Sequence, residues 1–93
     1  MGMTSANNLG RVLDNVEGAL ACELLGACAA TDLRRPLRSG AGTDAAYRAT
    51  RERIAPWTED RPPAPDIAAA RELIASQRLV AAAESAIGRR LTA

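Results

Sequence analysis

The sequence predicts an all-α protein: one long helix followed by two or three shorter helices, elongated and packed with partner chains as a helical bundle. Apolar residues recur every three or four positions, no segment alternates apolar and polar residues as a strand does, and prolines separate the apolar segments. The 93 residues suffice for one domain with a thin core. Large side chains are scarce, since the sequence has no phenylalanine, one tyrosine (Tyr47) and one tryptophan (Trp57).

The long helix is predicted over residues 1–33, with Thr4 as its N-cap. At 1.5 Å per residue it forms a rod of about 40 Å, whereas a compact globule of this length is only about 30 Å across. The rod should therefore overhang its own domain, and its apolar face then needs a partner. We predict an oligomer interface at Leu9, Val12, Leu13, Val16, Leu20 and Leu24.

A second row of the same helix carries mostly small residues. It steps by four through Gly10, Asp14, Gly18, Cys22 and Gly26. Each glycine weakens a helix by about 1 kcal/mol relative to alanine, so the three glycines indicate a compensating close approach of another helix.

The corner, residues 34–43, follows in the stretch TDLRRPLRSG. Pro36 cannot donate a backbone hydrogen bond and ends the helix, while Arg34 and Arg35 are expected in the last turn, against the negative end of the dipole. A phosphate-binding patch is the alternative, but anions favour helix N-termini. The helix stop is therefore the preferred interpretation.

The second helix is predicted over residues 44–55, with Thr43 as N-cap and Pro56 after it. Its only large apolar residues are Tyr47 and Ile54, which predicts a position on the surface or against a partner. A proline-rich connector, residues 56–64, contains Glu59 and Asp60. We interpret these two as a solvated turn, with paired acid/base chemistry as the weaker alternative.

The last helices are predicted over residues 65–91. Pro65 at the first helical position and Asp66 in the first turn begin them, and Ser76 interrupts or recaps them. Their apolar positions are Ile67, Ala70, Leu73, Ile74, Leu79, Val80, Ala83, Ile87 and Leu91.

Composition excludes several classes of site. The net charge is +1, all twelve basic residues are arginine, and histidine is absent, which removes the commonest general base and metal ligand. Cys22 and Cys28 are six residues apart on one helix and cannot form a bridge with each other, and no zinc spacing occurs. No apolar run reaches membrane-spanning length and no signal peptide is evident, so a soluble, cytoplasmic protein is expected, without membrane contact.

Two segments resemble the C-terminal part of the histidine and aromatic amino acid ammonia-lyases and the related aminomutases. They are MGMTSANNLGRVLDNVEGALACELLGACAATDLRRPL and WTEDRPPAPDIAAARELI. The shared landmarks are a long helix after a Ser-Met-Gly motif, of which Met1 and Gly2 would be the tail, a DLRRPL-like corner and an EDRP.APDI helix start. In order and spacing they cover nearly the whole chain.

The resemblance implies a helical segment packed in a homotetramer, in a family that eliminates ammonia from an amino acid. It also implies an electrophilic methylidene-imidazolone group made from an internal Ala-Ser-Gly, which this sequence lacks. The family's catalytic positions lie upstream of Met1, and Tyr47 matches none of them. We therefore expect no catalytic, cofactor-binding or metal-binding residue here.

Three functions remain open at this stage. The chain is an assembly segment of a histidine ammonia-lyase-like enzyme, inactive alone; or a small subunit that completes a split lyase; or an unrelated helical interaction or nucleic-acid-binding module. The last is disfavoured because the arginines are scattered among carboxylates and lack aromatic neighbours for stacking. We expect a homo-oligomer or a larger lyase chain as the partner, and no nucleic acid.

Overall fold

Residues 2–91 are described by the computed structural model, and in that range the chain forms four helices and no strand. They are α1 (Gly2–Leu33), α2 (Ala41–Arg53), α3 (Ala64–Ala75) and α4 (Arg78–Ile87). The molecule measures 54 × 39 × 17 Å. The predicted all-α class and elongated shape are confirmed. Met1, to which the resemblance assigns part of the Ser-Met-Gly motif, lies outside the described residues.

Helix α1 has 32 residues and packs against α3 through its C-terminal half. It begins before Thr4, so that residue lies inside the helix and is not its N-cap. It ends at Leu33, three residues before Pro36, and a turn follows in which the Leu37 amide donates to the Arg34 carbonyl (3.0 Å). Arg34 and Arg35 thus follow the helix, whereas the sequence analysis predicted them in its last turn.

Helix α2 packs mainly against α4, which corrects the prediction of a surface or partner position. It begins at Ala41 after Gly40, three residues earlier than predicted, so Thr43 is not its cap. Small residues allow the close approach: a Cβ at Gly42 would lie 3.3 Å from Cγ2 of Ile87. Sequence analysis missed this contact because alanine and glycine carry little apolar signal.

A short turn joins α3 to α4 and sets where one helix ends and the next begins. Pro65 lies one residue inside α3, which begins at Ala64, and the helix ends at Ala75. Gln77 takes the left-handed conformation (φ 61°) before α4 begins. Gly88, with φ 72°, closes α4, so residues 88–91 are not helical, contrary to the predicted extent.

A small core joins the helices. Its buried members come from α1, from α3 and from the residue that follows α2: Ala21, Ile54, Ala70 and Leu73. Partly buried residues surround them, including Leu24, Leu25, Ile67 and Leu79. Because Ala21 and Ala70 are small, α1 and α3 approach closely where they cross.

Candidate functional site

Five of the six predicted interface residues form an exposed apolar row along α1. Leu9, Val12, Leu13, Val16 and Leu20 are between 44 and 60% exposed, and we call them the apolar stripe. The sixth, Leu24, packs against the core of its own chain and is left out. That the stripe is an oligomer interface stays a prediction.

Four of the five stripe residues, all except Leu20, lie where α1 extends beyond the rest of the chain. Residues 2–16 are all exposed, and the contact nearest the helix start comes from Arg71 of α3. Its Nη1 lies 3.2 Å from Oδ1 of Asp14, and its Nη2 donates to the Asp14 carbonyl at 3.3 Å. The overhang predicted from helix length is therefore present over about four turns.

The three glycines of the small-residue row, Gly10, Gly18 and Gly26, are not packed against the backbone of another helix of this chain. A Cβ at Gly10 or Gly26 would meet nothing within 4 Å, and one at Gly18 would lie 2.5 Å from Nη2 of Arg71. Within the described residues, only Gly18 is contacted by another helix, through the Arg71 side chain of α3. Close approach of a partner's helix to Gly10 and Gly26 stays a prediction.

A charged cluster joins the corner to α2. Asp32, in the last turn of α1, accepts hydrogen bonds from the Tyr47 hydroxyl and from Nη2 of Arg51. Arg51 also donates through Nη1 to the Ile54 carbonyl at 3.1 Å, and the Arg35 guanidinium lies 5.1 Å from the centre of the Tyr47 ring. The cluster fixes the angle between α1 and α2.

The electrostatics of this cluster follow from its partners. Burial by itself would raise the pKa of Asp32, but hydrogen bonds from Tyr47 and Arg51 and the nearby arginine charges outweigh it and hold the pKa below 3.8. Burial raises the pKa of the adjacent Cys28 thiol above 9.0 despite Arg51. Asp32 is therefore ionised and Cys28 is a neutral thiol near neutral pH.

Sequence analysis did not single out Asp32. A carboxylate at a helix C-terminus faces the negative end of the dipole, which is unfavourable by about 0.3–1 kcal/mol. An acidic residue in that position was the available signal for a cationic partner.

An open groove lies beside the cluster, between α1, the end of α2, the connector and α3, with a volume of about 650 Å³. We call it the apolar groove and define it by six of its lining residues: Cys22, Gly26, Ala29, Leu33, Trp57 and Ile67. The Asp32–Arg51 ion pair lies at its edge.

The two acidic residues of the connector are exposed, as a solvated turn predicts, whereas the carboxylate that follows in α3 is hydrogen-bonded. Glu59 and Asp60 are exposed, whereas Asp66 accepts hydrogen bonds from Nε1 of Trp57 and from Nε of Arg61. The hydrogen bond from Trp57 lowers the pKa of Asp66, and Arg61 lowers it further, although burial acts in the opposite direction.

Within residues 2–91, no three side chains of the His, Cys, Asp and Glu types are grouped as metal ligands, and no helix is long and apolar enough to span a membrane.

Comparison with known proteins identifies the family. A family model described as aromatic amino acid lyase matches residues 1–52, which hold α1, the corner and most of α2. The chain belongs to the aromatic amino acid lyase family. The resemblance found in the sequence is thereby confirmed, and the two features described above, the stripe and the Asp32–Tyr47–Arg51 cluster, belong to a segment of this lyase family.

Curated proteins similar to this chain include histidine ammonia-lyases. One from Sorangium cellulosum is 50% identical over 88 residues, and one from Symbiobacterium thermophilum is 47% identical over 88 residues. The human protein is 39% identical over 79 residues, 85% of this chain and 12% of that protein. The chain covers only 17% of the length of each of the two bacterial relatives. No solved structure matches the chain.

The prosthetic group implied by the lyase resemblance has no precursor here. That group is made from Ala-Ser-Gly, and no Ala-Ser-Gly occurs in the 93 residues. That these residues bind no cofactor stays a prediction.

Proposed function

We propose that this chain is an assembly segment of a histidine ammonia-lyase-like enzyme, with no catalytic activity alone. The observation that carries the proposal is the apolar stripe of α1, five large exposed residues in a chain with a small core, four of which lie in the overhang. Contiguous exposed apolar surface of this kind is typical of interaction sites. The parent reaction would be elimination of ammonia, with histidine as the proposed substrate because the relatives named above are histidine ammonia-lyases.

Sedimentation of the purified chain tests self-association. We expect oligomers at micromolar concentration, and Leu20→Asp should dissociate them because it places a charge within the stripe. Arg38→Ala is the matched control, since its ion pair with Asp44 is exposed and such pairs contribute about 0–1 kcal/mol. A folded monomer at micromolar concentration would contradict the proposal.

Catalytic inactivity has its own assay. The isolated chain is expected to release no ammonia from histidine, phenylalanine or tyrosine, because it contains no Ala-Ser-Gly. Measurable turnover would overturn this part of the proposal and leave the assembly role to be judged by sedimentation.

The second candidate is a small subunit that completes a split lyase. In this candidate the exposed stripe of α1 would pack against the larger chain. This candidate requires a reading frame directly upstream that encodes the Ala-Ser-Gly region. Co-expression of the two chains should then yield an active complex. If no such frame exists, this candidate fails.

A nucleic-acid role is disfavoured by the ion pairs. Six arginines contact carboxylates within the described residues, which lowers the positive charge available for phosphates. They are Arg38, Arg48, Arg51, Arg53, Arg61 and Arg71. Retention on DNA or RNA columns at low salt would reinstate this role.

A further inference from the structure

We propose that the connector between α2 and α3 contains a strap that opens and closes independently of the four helices and is held closed by Arg61. The strap comprises residues 55–62, and Arg61 closes it through contacts with Asp66 and Trp57. Every contact involved lies within one chain, so the strap is independent of the proposed self-association.

The two ends of the strap are fixed to the helices beside it. The Ile54 amide, just before the strap, donates to the Thr50 carbonyl of α2 (2.9 Å). The Ile67 amide of α3 donates to the carbonyl of Pro63, just after the strap (3.0 Å). Movement of the strap is therefore confined to the residues between these two bonds.

Between its ends, the backbone of the strap makes no backbone hydrogen bond to a helix within the described residues. Its one backbone–backbone hydrogen bond joins the Thr58 amide to the Pro56 carbonyl (3.1 Å), inside the strap. Every strap residue except Arg61 is exposed. A segment with few buried contacts and few backbone hydrogen bonds opens at a lower free energy than the packed helices around it.

The Arg61 side chain supplies the connections that the backbone lacks. Its Nη1 donates to the Pro56 carbonyl at 3.3 Å, and its Nη2 donates to the Ala55 carbonyl. Its Nε and Nη2 lie 3.1 and 3.0 Å from Oδ2 of Asp66, in the first turn of α3. One guanidinium therefore joins the beginning of the strap to the beginning of the next helix, which requires the planar five-donor fork of arginine.

The Trp57 ring is held by the same two side chains. Its Nε1 donates to Asp66, and the Arg61 guanidinium lies 5.9 Å from the centre of the ring. The ring is 55% exposed and lines the apolar groove together with Pro56 and Thr58. Opening of the strap therefore frees the Trp57 side chain and removes one wall of the groove.

The ion pair between Arg61 and Asp66 has no substitute in the strap. Within the described residues it is the one ion pair that joins the strap to a helix, and the Asp66 side chain is only 14% exposed. Hydrogen bonds between charged groups are stronger than those between neutral groups. Loss of one such bond changes an equilibrium by about tenfold or more, so weakening this contact should raise the open population by at least that factor.

Chymotrypsin measures the opening because the chain has one tryptophan and one tyrosine. Trp57 lies in the strap, whereas Tyr47 is only 7% exposed in α2. Cleavage after Trp57 requires its ring to leave Asp66 and enter the protease, and cleavage after Tyr47 requires α2 to unfold. When opening and closing are fast relative to cleavage, each rate reports the population of the corresponding open form.

Arg61→Lys keeps the positive charge but removes the fork. It should raise the rate of cleavage after Trp57 by at least about tenfold and leave cleavage after Tyr47 unchanged, as measured by mass spectrometry of the products. Arg38→Lys is the matched control, since Arg38 pairs with Asp44 outside the strap, and it should change neither rate. Each rate is divided by that of an unfolded peptide with the same substitution, which removes any direct effect on the protease.

Asp66→Asn tests the other side of the contact. It removes the carboxylate charge at nearly constant shape and should also accelerate cleavage after Trp57 more than cleavage after Tyr47. Asp60→Asn is its control, because Asp60 is an exposed carboxylate in the strap itself.

The two cleavage sites distinguish the outcomes. Selective acceleration after Trp57 in both Arg61→Lys and Asp66→Asn supports the strap. Equal acceleration at Trp57 and Tyr47 means that the substitution weakens the whole fold, and it overturns the inference. An unchanged rate at Trp57 in either variant overturns it as well. The assembly role is judged separately by sedimentation.

Discussion

Replacing Asp32 with alanine tests whether the charged cluster holds α1 and α2 together. The substitution removes the acceptor for the Tyr47 hydroxyl and for Nη2 of Arg51. The Arg51 side chain is only 15% exposed, so its guanidinium loses its carboxylate partner where water replaces it poorly.

The expected loss of stability can be worked from these contacts. A hydrogen bond to a charged group contributes about 1.5–3 kcal/mol, and the partial exposure of Asp32, 26%, reduces both of its bonds below that range. We expect a loss of about 2–3 kcal/mol in total. For a domain of this size each kcal/mol shifts the Tm by about 4–8 °C, so the Tm should fall by about 8–24 °C.

Urea unfolding followed by circular dichroism measures the effect, with Asp60→Ala as control because Asp60 is an exposed carboxylate. The control should stay within about 0.5 kcal/mol of the native chain.

Because the pKa of Asp32 is lower in the folded chain, its contribution to stability is present above about pH 4 and is lost as the pH falls through the folded pKa. The gap between Asp32→Ala and the native chain should therefore close on acidification. Equal stability of Asp32→Ala and Asp60→Ala at pH 7 would refute the role given to the cluster.

Three further predictions concern packing and reactivity. Leu73→Ala should cost about 2–5 kcal/mol in urea unfolding because Leu73 is 2% exposed in the core, and a loss below 1 kcal/mol would contradict the core assignment. Gly42→Val should destabilise the chain by about 1–3 kcal/mol because the added side chain overpacks against α4. Gly18→Ala should be neutral or stabilising, since it displaces only the flexible Arg71 side chain and gains up to about 1 kcal/mol of helix propensity. The reverse order of stability in thermal unfolding would argue against the helix packing described. A thiol-alkylating reagent should modify Cys22 and spare Cys28 in the folded chain, because burial both covers Cys28 and raises its pKa, and equal labelling rates would show that Cys28 is accessible.

The sequence predicted the long helix and its overhang because both depend on local periodicity and length. The recurrence from Leu9 to Leu20 sets the apolar face, and a 32-residue helix exceeds the size of the domain it joins. The family resemblance depended on the same local information, the ordered landmarks of α1, the corner and α3. The boundaries were less accurate: Thr4 and Thr43 are not the N-caps they were predicted to be, and Pro65 is the second rather than the first residue of α3.

Tertiary structure decided which surfaces are covered. The side of α2 that carries Gly42 is buried against α4, and Gly26 faces an open groove, yet both are glycines on a helix. Their environments depend on where distant segments cross, and small residues permit close approach without requiring it. The partnership of Asp32 with Tyr47 and Arg51 joins residues 15 and 19 positions apart, so it forms only once the corner has folded α2 back beside α1. Sequence alone thus determined the helices and their apolar face, while the chain fold determined which residues meet, because those contacts depend on the long-range path of the backbone.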